Sequence, residues 1–223
     1  MYHLLKRITD LLLATIALII LSPLFIVVMI ILLVTGEHEV FYFQKRIGYH
    51  NKPFYIWKFA TMLKNSSKMG TGEITVRNDP RVTRFGKFLR ISKINELPQL
   101  INILKGDMSV VGPRPLMEVS FNLYSDEVKN NIYRSRPGIT GIGSLIFRDE
   151  EKILSGAKDP RVMYAAIYPY KGQLELWYLK NASMSLDLMI IFLTGWSLFF
   201  PENDLAKKFF KDLPVKDLEW SGD

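Results

Sequence analysis

The sequence predicts a mainly helical α+β protein in which an N-terminal membrane segment precedes a small globular domain with a short β-hairpin. The first observation is an uncharged, apolar stretch at residues 11–34, which is long enough for a membrane helix. The second is a pair of aromatic and β-branched runs at residues 40–44 and 53–59, which predicts the hairpin. The third is a set of later segments with helical spacing, some beside basic residues, which predicts amphipathic helices at a membrane surface.

Composition limits the partners of the chain. Of its 223 residues, 48% are hydrophobic, so we expect one folded globular domain at 37–200, between a membrane segment at 1–36 and an amphipathic tail at 201–223. The net charge of +7 fits nucleic acid, an anionic membrane surface or phosphorylated substrates, and the apolar stretch favours the last two. The absence of cysteine excludes disulfides and thiolate metal sites.

The apolar stretch is too long for a typical cleaved signal peptide, whose apolar core has about 7–15 residues. Ser22-Pro23 lies at its middle, where proline removes a backbone donor and predicts a break in the helix, and where the Ser22 hydroxyl can take up a freed carbonyl. Two arrangements follow: a kinked single-pass helix or a re-entrant helix-break-helix. Basic residues on both sides of the stretch agree with the re-entrant arrangement.

The middle of the chain predicts a loop followed by two helices. Residues 64–79 are polar and contain Gly70 and Gly72, which indicates a mobile loop, and residues 81–90 form a basic, moderately amphipathic segment. Ser92 is predicted as the N-cap of a helix that ends at Gly106. Further predictions are a polar helix at about 125–135, a tight glycine-rich turn at 137–143, one or two helices within 177–194, and an amphipathic helix at 203–220.

Candidate phosphate ligands are basic. Arg114 lies between two prolines, each of which restricts the residue before it, so its guanidinium is presented on a stiff backbone and suits bidentate capture of phosphate. A second basic cluster could equally be a solvated or headgroup-facing helix edge; it comprises Arg81, Arg84, Lys87 and Arg90.

The candidate acidic groups fall into two sets. Glu96 and Asp107 lie at opposite ends of one predicted helix, where Glu96 either interacts with the helix dipole or acts as a base or Mg²⁺ ligand. The run Asp149, Glu150 and Glu151 is by default a solvated loop. The histidines are scattered without ligand spacing, and no P-loop or Ser/His/Asp grouping is visible.

Together these motifs resemble the bacterial sugar transferase family, that is, the monotopic phosphoglycosyl transferases or polyprenyl-phosphate hexose-1-phosphate transferases. The resemblance covers nearly the whole chain. Its motifs are Ser22-Pro23, Phe43-Gln-Lys-Arg-Ile-Gly48, Trp57-Lys-Phe-Ala-Thr-Met62, Asp79-Pro-Arg-Val-Thr83, the block 96–115, Arg136-Pro-Gly-Ile-Thr-Gly141, and Trp177-Tyr-Leu-Lys-Asn181 with Asp187.

The resemblance implies a re-entrant helix and a catalytic domain on the cytoplasmic face of the bacterial inner membrane. It implies transfer of a sugar-1-phosphate from a UDP-sugar to undecaprenyl phosphate, with release of UMP and use of Mg²⁺, as the first membrane step in assembling a surface glycan such as exopolysaccharide, capsule or lipopolysaccharide. Glu96 and Asp107 would hold the metal. The implied phosphate ligands are Lys58, Arg81, Arg114 and Arg136.

One departure falls on the family's nucleophile, an aspartate that forms a covalent phosphosugar intermediate. Here that position is Asn95, and a neutral amide is a poor nucleophile towards phosphorus. Another carboxylate could attack instead, either Glu96 or one of the run 149–151, which the family usually lacks. Alternatively, the lipid phosphate attacks the donor directly, or the chain is an inactive paralogue or an Asp-to-Asn variant. A second, smaller departure is Ala60, where the family more often has a basic residue.

A different class of function also follows from the sequence. A catalytically impaired member would bind lipid phosphate or nucleotide sugar, or act as a scaffold, although Glu96, Asp107 and Arg114 favour the enzyme. A nucleic-acid partner would rest on net charge alone and is not expected. Homodimer formation is left open by the sequence.

Overall fold

A computed structural model describes residues 1–66, 69, 78–200, 208–210 and 212–215. Within them the chain is mainly helical, with two small two-stranded sheets. In chain order the elements are α1 (Tyr2–Val34), β1 (Phe41–Ile47), β2 (Pro53–Phe59), α2 (Arg84–Ile91), α3 (Gln99–Lys105), β3 (Ser109–Val111), α4 (Glu118–Phe121), α5 (Asp126–Asn131), β4 (Gly138–Thr140), α6 (Ile142–Ile146), α7 (Glu150–Gly156), α8 (Pro160–Asn181) and α9 (Met184–Phe199).

The N-terminal helix α1 is continuous, and the predicted break at Ser22-Pro23 is not found. Pro23 lacks the N–H that would bond the carbonyl of Ile19, four residues earlier. The Ser22 hydroxyl donates to that same carbonyl at 2.8 Å. The freed acceptor is therefore satisfied locally, as expected for Ser22, and helical geometry continues through the proline.

Both ends of α1 are held by the same globular body. Near the N-terminus, Lys6 Nζ forms an ion pair with Asp187 of α9 at 2.7 Å. The buried carboxylate of Asp10 accepts from Ser109 Oγ at 2.7 Å and from the Val110 N–H at 2.9 Å. Beyond the C-terminus, Gly36 lies against the Thr83 side chain. The helix thus runs along the domain and does not project away from it.

One side of α1 packs on the domain in two places. Ala14 joins a core cluster with α3 and β2, and further along Val28 and Leu32 pack with Phe59 and Leu89. Its remaining surface is lined by exposed aliphatic side chains, among them Leu12, Ile16, Ile19, Ile20, Ile26, Ile30, Leu33 and Val34. This helix is long and apolar enough to cross a membrane, by length and composition. An exposed apolar surface of this extent requires a cover such as lipid.

The predicted hairpin is confirmed. Strands β1 and β2 pair antiparallel, with Phe41 opposite Phe59 and Ile47 opposite Pro53. His50 and Asn51 in the connecting turn have φ of 56° and 57°, a left-handed conformation that reverses the chain within a few residues. Arg46, Ile56 and Lys58 occupy the same face of the hairpin, because side chains on one face alternate along each strand.

The glycine-rich segment 137–143 is more than the tight turn that was predicted. Its first part forms β4, which pairs in parallel with β3. A Cβ at Gly138 would lie 2.2 Å from the Gly112 nitrogen, and one at Gly141 would lie 2.2 Å from the Gly112 oxygen. The glycines are therefore needed for backbone contact between these segments, and that contact sets the position of the loop that follows β3.

Ser92 does not begin a helix, contrary to the prediction. It ends α2, where its hydroxyl donates to the Phe88 carbonyl at 2.8 Å. Lys93 then adopts a left-handed conformation with φ of 60°, and a 3₁₀ turn at Ile94–Glu96 leads into α3. The predicted stop is confirmed, because Gly106 ends α3 with φ of 91°.

The C-terminal half forms the main core. The polar helix predicted at about 125–135 is found as α5, capped by Ser125, which accepts from the Val128 N–H, and followed by a 3₁₀ turn at Ile132–Arg134. Two long helices, α8 and α9, meet near Ser183 and cover the segment where one or two were predicted. Buried side chains from these helices, from α6 and from the 3₁₀ turn after α5 form one large cluster, among them Tyr133, Ile142, Ile167, Leu174, Tyr178 and Ile190.

Two predictions fall largely outside the described residues. Gly70 and Gly72 of the predicted loop are not among them, and neither is most of the predicted helix at 203–220. Of its aromatic residues, Phe210 is buried against Trp177, with ring centroids 5.8 Å apart, while Phe209 is exposed.

Candidate active site

The hairpin, the 3₁₀ turn and the loop after β3 converge on one carboxylate, that of Glu96. Lys58 of β2 donates to Glu96 Oε1 at 2.8 Å. Arg114 Nη2 approaches the same oxygen at 3.5 Å. The structure therefore joins three residues that the sequence singled out, from segments 38 and 18 positions away from Glu96 in the chain.

The loop that carries Arg114 is held through its backbone. The Tyr133 hydroxyl donates to the Arg114 carbonyl at 2.8 Å and accepts from the Leu116 N–H at 3.0 Å. Because Tyr133 holds both the Arg114 carbonyl and the Leu116 N–H, the half-exposed guanidinium is presented from a rigid base, as the flanking prolines predicted.

A third cation completes the group. Arg46 of β1 lines a narrow cleft together with Lys58, Gln99 and Arg114. Its Nε atom is buried without a hydrogen-bond partner among the described residues. Arg46 lies within the motif at residues 43–48 but was not predicted as a site residue. The strand alternation that places it on the same face as Lys58 was the available signal.

The electrostatics of this group follow from its charge excess. Burial alone would raise the pKa of Glu96, but the charges of Lys58 and Arg114 outweigh burial and hold that pKa well below its ordinary value. Burial lowers the pKa of Lys58 to about 8, against the opposing effect of Glu96. Two cations contact this carboxylate and a third lines the same cleft, which leaves an excess of about two positive charges for an anion, a balance suited to phosphate groups.

Asn95 is adjacent in sequence but faces elsewhere. Its side chain is only 7% exposed, and its Oδ1 is buried without a partner in the described part of the chain. The 3₁₀ turn orients successive side chains differently, so Glu96 meets the cations while Asn95 points into the protein. A buried neutral amide in this place does not provide a nucleophile.

Arg81 has another role in the structure. Its guanidinium forms a two-pronged ion pair with Asp79, with Nε to Oδ1 at 2.9 Å and Nη2 to Oδ2 at 2.6 Å. Its Nη1 donates to the carbonyls of Ser66 and Met69, each at 2.9 Å. This fully buried arrangement holds the start of α2 to the preceding loop and does not bring Arg81 to Glu96.

Arg136 and Asp107 lie together near the end of α3, away from Glu96. Arg136 Nε donates to the Gly106 carbonyl at 2.9 Å, and its guanidinium stacks over the Tyr49 ring. Asp107 accepts from Asn102 at 3.2 Å and lies 3.7 Å from Lys105 Nζ. Glu96 precedes the start of α3 and Asp107 follows its end, and no contact joins the two carboxylates within the described residues.

The acidic run was predicted as a solvated loop, but it forms the start of a helix. Asp149 precedes α7, and Glu150 and Glu151 form its first turn, where negative charge interacts favourably with the helix dipole. Glu150 Oε1 accepts from the buried Lys171 Nζ at 2.6 Å. Glu151 turns outward and pairs with Arg90 at 3.0 Å.

Two buried charged residues of α8, Lys171 and Glu175, were missed entirely. Glu175 is 3% exposed, with Oε1 against Gly143, and burial raises its pKa to about 8. Lys171 lies within 5.7 Å of three aromatic ring centroids, those of Phe147, Tyr164 and Tyr168. In the sequence both residues lie in an ordinary mixed helix, where charged side chains are normally solvated.

The donor set limits how a metal could bind. Within the described residues, no three His, Asp or Glu side chains come together as a metal-binding group. Glu96 is one carboxylate near a cleft. Mg²⁺ commonly uses one or two carboxylates and completes its shell with water and substrate phosphate. Glu96 therefore fits a site in which substrate phosphate and water supply the remaining ligands.

Comparison with known proteins agrees with the geometry. Residues 1–201 match the family described as bacterial sugar transferase. The chain is 36% identical over 203 residues to the exopolysaccharide production protein ExoY of Rhizobium meliloti, covering 85% of this chain and 83% of that protein. It is 35% identical over 195 residues to the UDP-N-acetylgalactosamine-undecaprenyl-phosphate N-acetylgalactosaminephosphotransferase of Aeromonas hydrophila, covering 86% of this chain and 43% of the relative.

A third relative is the UDP-glucose:undecaprenyl-phosphate glucose-1-phosphate transferase of Klebsiella pneumoniae, 35% identical over 199 residues, with 87% of this chain and 40% of that protein covered. The chain thus spans less than half the length of the Aeromonas and Klebsiella relatives. Two of these three relatives carry transferase names, so the impaired-binder alternative gains no support from them. The matched family and the relatives agree, and the chain belongs to the bacterial sugar transferase family.

Proposed function

We propose that this protein transfers a sugar-1-phosphate from a UDP-sugar to undecaprenyl phosphate and releases UMP, as a step in exopolysaccharide synthesis. The observation that carries the proposal is that Arg46, Lys58 and Arg114 line one cleft, where Lys58 and Arg114 also contact Glu96. The relatives' names supply the donor and acceptor classes. Both substrates are phosphate esters, and an excess of fixed positive charge is what such substrates require.

The cations would act mainly on the transition state. As the bond to UMP breaks, negative charge develops on the transferred phosphoryl group and on the leaving phosphate. Guanidinium and ammonium groups that are already fixed in place stabilise this charge without reorganising at the moment of reaction. Arg114 is best placed for this role, because its rigid loop leaves the guanidinium about 44% exposed and only loosely bound to Glu96.

Mg²⁺ is proposed as the cofactor, with Glu96 as its protein ligand. Its carboxylate stays ionised because Lys58 and Arg114 lower its pKa. When bound, the metal would neutralise charge on the diphosphate. The contacts of Asp107 are with Asn102 and Lys105, not with Glu96, so the proposal assigns the remaining ligands to substrate phosphate and water.

Membrane placement is proposed from the way α1 lies on the domain. Lys6 at one end and Gly36 beyond the other both contact the same globular body. A helix that crossed the bilayer would carry one end away from that body, so the contacts favour a segment that stays on the cytoplasmic face of the inner membrane. Because α1 is continuous through Pro23, it would lie in the plane of that face, and a re-entrant course would require a bend at Ser22-Pro23. The basic helix α2, with exposed Phe88 and Ile91, would rest on the same surface.

The test is a UMP-release assay with the purified protein in lipid nanodiscs containing undecaprenyl phosphate. UDP-glucose, UDP-galactose and UDP-N-acetylgalactosamine are supplied with Mg²⁺, and the lipid product is identified by mass spectrometry. We expect UMP with at least one donor, and its loss with EDTA. Lys58→Met should lower the rate by about 10²-fold, whereas Lys180→Met, an exposed lysine on α8, should leave it unchanged. Failure to release UMP with every donor would contradict the proposed function.

A further inference from the structure

Helix α3 carries two buried amide side chains, those of Gln99 and Asn102, and they differ in their hydrogen bonding. Gln99 is 2% exposed, and Asn102 is fully buried. They are three residues apart, so both lie on one side of the helix. Polar groups inside proteins are almost always hydrogen-bonded, so a buried amide without a partner calls for an explanation.

Asn102 has a structural role. Its Oδ1 accepts from the Trp57 N–H at 2.9 Å, and its Nδ2 donates to the Tyr55 carbonyl at 2.8 Å. It therefore bonds the backbone of β2 on both sides of Ile56, which lines the cation cleft. These bonds fix α3 against β2, and they fix where Gln99, one turn earlier, faces that strand.

Gln99 has no comparable partner. Within the described residues, no hydrogen bond reaches its side-chain amide. The amide is not closed off from solvent either, in contrast to Asn95 Oδ1 and Arg46 Nε, which are. Gln99 lines the same narrow cleft as Arg46, Lys58 and Arg114. A buried, unpartnered amide in the wall of a cleft is suited to bind a group that enters the cleft.

Gln99 supplies what the cations of this cleft lack. Lysine and arginine side chains only donate hydrogen bonds, whereas the glutamine amide both donates and accepts. The nearby acceptor Glu96 Oε1 is already bonded to Lys58 at 2.8 Å and approached by Arg114 at 3.5 Å. A ligand therefore meets donors for its phosphate oxygens and, at Gln99 Oε1, a free acceptor for a hydroxyl or N–H group.

We propose that Gln99 is a specificity-determining residue that binds the sugar of the donor, an inference that rests on the proposed function. In a UDP-sugar the phosphate is attached to C1 of the sugar, so the hydroxyl or N–H on C2 is the nearest donor to that phosphate. With the phosphate held by Lys58 and Arg114, Gln99 Oε1 accepts from the C2 group. The bond orients the sugar, and no covalent bond changes at Gln99.

The test compares each donor with an analogue that lacks the C2 group. UDP-2-deoxyglucose is matched to UDP-glucose, and UDP-2-deoxygalactose to UDP-galactose and UDP-N-acetylgalactosamine. The reaction breaks a P–O bond and leaves the C1–O bond intact, so the analogue differs mainly in binding. For the unaltered protein in nanodiscs, the analogue should lower kcat/KM for UMP release by about 10- to 100-fold.

The matched variant is Gln99→Met, which keeps the size of the side chain and removes the amide. It should lose a similar factor on the natural donor and lose nothing further on the 2-deoxy analogue. If the variant discriminates between the two donors as strongly as the unaltered protein does, the inference is overturned. A loss below about twofold on the analogue with the unaltered protein overturns it as well.

Thermal unfolding separates this role from a structural one. Because the Gln99 amide has no partner in the described part of the chain, Gln99→Met should unfold at the same temperature as the unaltered protein or at a higher one. Asn102→Leu removes the bonds to β2 and should unfold at a lower temperature. A fall for Gln99→Met as large as that for Asn102→Leu would assign Gln99 to the fold and overturn the inference.

Calorimetric binding of the same UDP-sugars without acceptor lipid makes the test independent of turnover. We expect binding to the unaltered protein to weaken when the C2 group is removed, and binding to Gln99→Met to be insensitive to it. UMP release with no effect of C2 on rate or binding overturns the inference and leaves the proposed function intact. Binding that depends on C2 and Gln99, without UMP release from any donor, supports the inference and contradicts the proposed reaction.

Discussion

Arg81 and Arg114 both follow a proline and both were predicted as phosphate ligands, yet the structure uses them differently. The Arg81 side chain is 3% exposed, and its guanidinium is occupied by Asp79 and by two backbone carbonyls. The Arg114 side chain is 44% exposed, with a single long contact of 3.5 Å to Glu96. The same side chain therefore holds a loop in one region and faces a cleft in the other.

The difference shows what separates a structural arginine from a substrate-binding one. A guanidinium with its donors satisfied inside the protein has nothing left for a ligand, and removing it leaves a buried, uncompensated charge. A guanidinium whose backbone is fixed but whose donors are free has the opposite properties. At Arg114 the main chain is held by the Tyr133 hydroxyl, which bonds the Arg114 carbonyl and the Leu116 N–H. Substitution should therefore affect activity in one region and stability in the other.

The largest expected effect is on catalysis at Arg114. Arg114→Ala should lower kcat/KM by about 10³-fold, equivalent to about 4 kcal/mol of transition-state stabilisation. The thermal unfolding midpoint should change little, because the side chain is half exposed and its contact with Glu96 is long. The rate is read from UMP release, with Arg161→Ala on the exposed start of α8 as the control. Normal activity in Arg114→Ala would contradict the assignment of Arg114 to substrate binding.

The next effect is on stability at Arg81. Arg81→Ala should destabilise the fold by about 3–5 kcal/mol, because Asp79 is left buried and unpaired. Asp79→Ala should cost a similar amount, and the double variant should cost less than the sum of the two. Denaturant unfolding in detergent micelles measures all three. If a variant folded normally but lost substrate affinity, the result would instead support Arg81 as a phosphate ligand.

The same ion pair has a pH signature. The hydrogen bonds from Arg81 lower the pKa of Asp79 below its ordinary value of 3.8. A depressed carboxyl pKa adds stability that is present above the unfolded pKa and is lost as the pH falls through the folded pKa. The unaltered protein should therefore lose stability in acid below about pH 4, and Arg81→Ala should show a weaker dependence in that range.

The smallest effect tests the rigidity of the Arg114 loop. Tyr133→Phe removes the hydroxyl that bonds the Arg114 carbonyl and the Leu116 N–H, and should cost about 1–2 kcal/mol of stability. We also expect about a tenfold loss of kcat/KM, because a looser loop places the guanidinium less accurately. Tyr170→Phe, a partly buried tyrosine of α8, is the comparison variant. Loss of stability with unchanged kcat/KM would separate the hydroxyl from loop positioning.

Features governed by neighbours in the chain were predictable. The hairpin followed from two aromatic runs around a turn, and Gly106 ended α3 as expected because a left-handed residue is needed there. Ser92 shows where local patterns are ambiguous, since serine before a periodic run indicates an N-cap but here closes the preceding helix. The acidic run 149–151 was read as a loop because its partner Lys171 lies 20 or more residues away.

The candidate site was predictable in part. Glu96, Lys58 and Arg114 stood out through their motifs, and the structure brings them together. Arg46 and Glu175 were missed, because their importance comes from burial, which a mixed polar segment does not reveal. The metal site of Glu96 and Asp107 stays a prediction, because the two residues lie beyond opposite ends of α3 and no contact joins them within the described residues.

The family, the apolar helix that needs lipid around it, and the acidic and basic residues available for phosphate chemistry could all be recognised in the chain before folding. Composition and motifs suffice for these because they depend on residue identity and on short-range spacing. Which charges are neutralised within the protein, and which remain for a ligand, emerged from the folded arrangement. Ion pairing depends on distances across the fold, so Arg81 and Arg114, alike in the chain, differ in the folded protein.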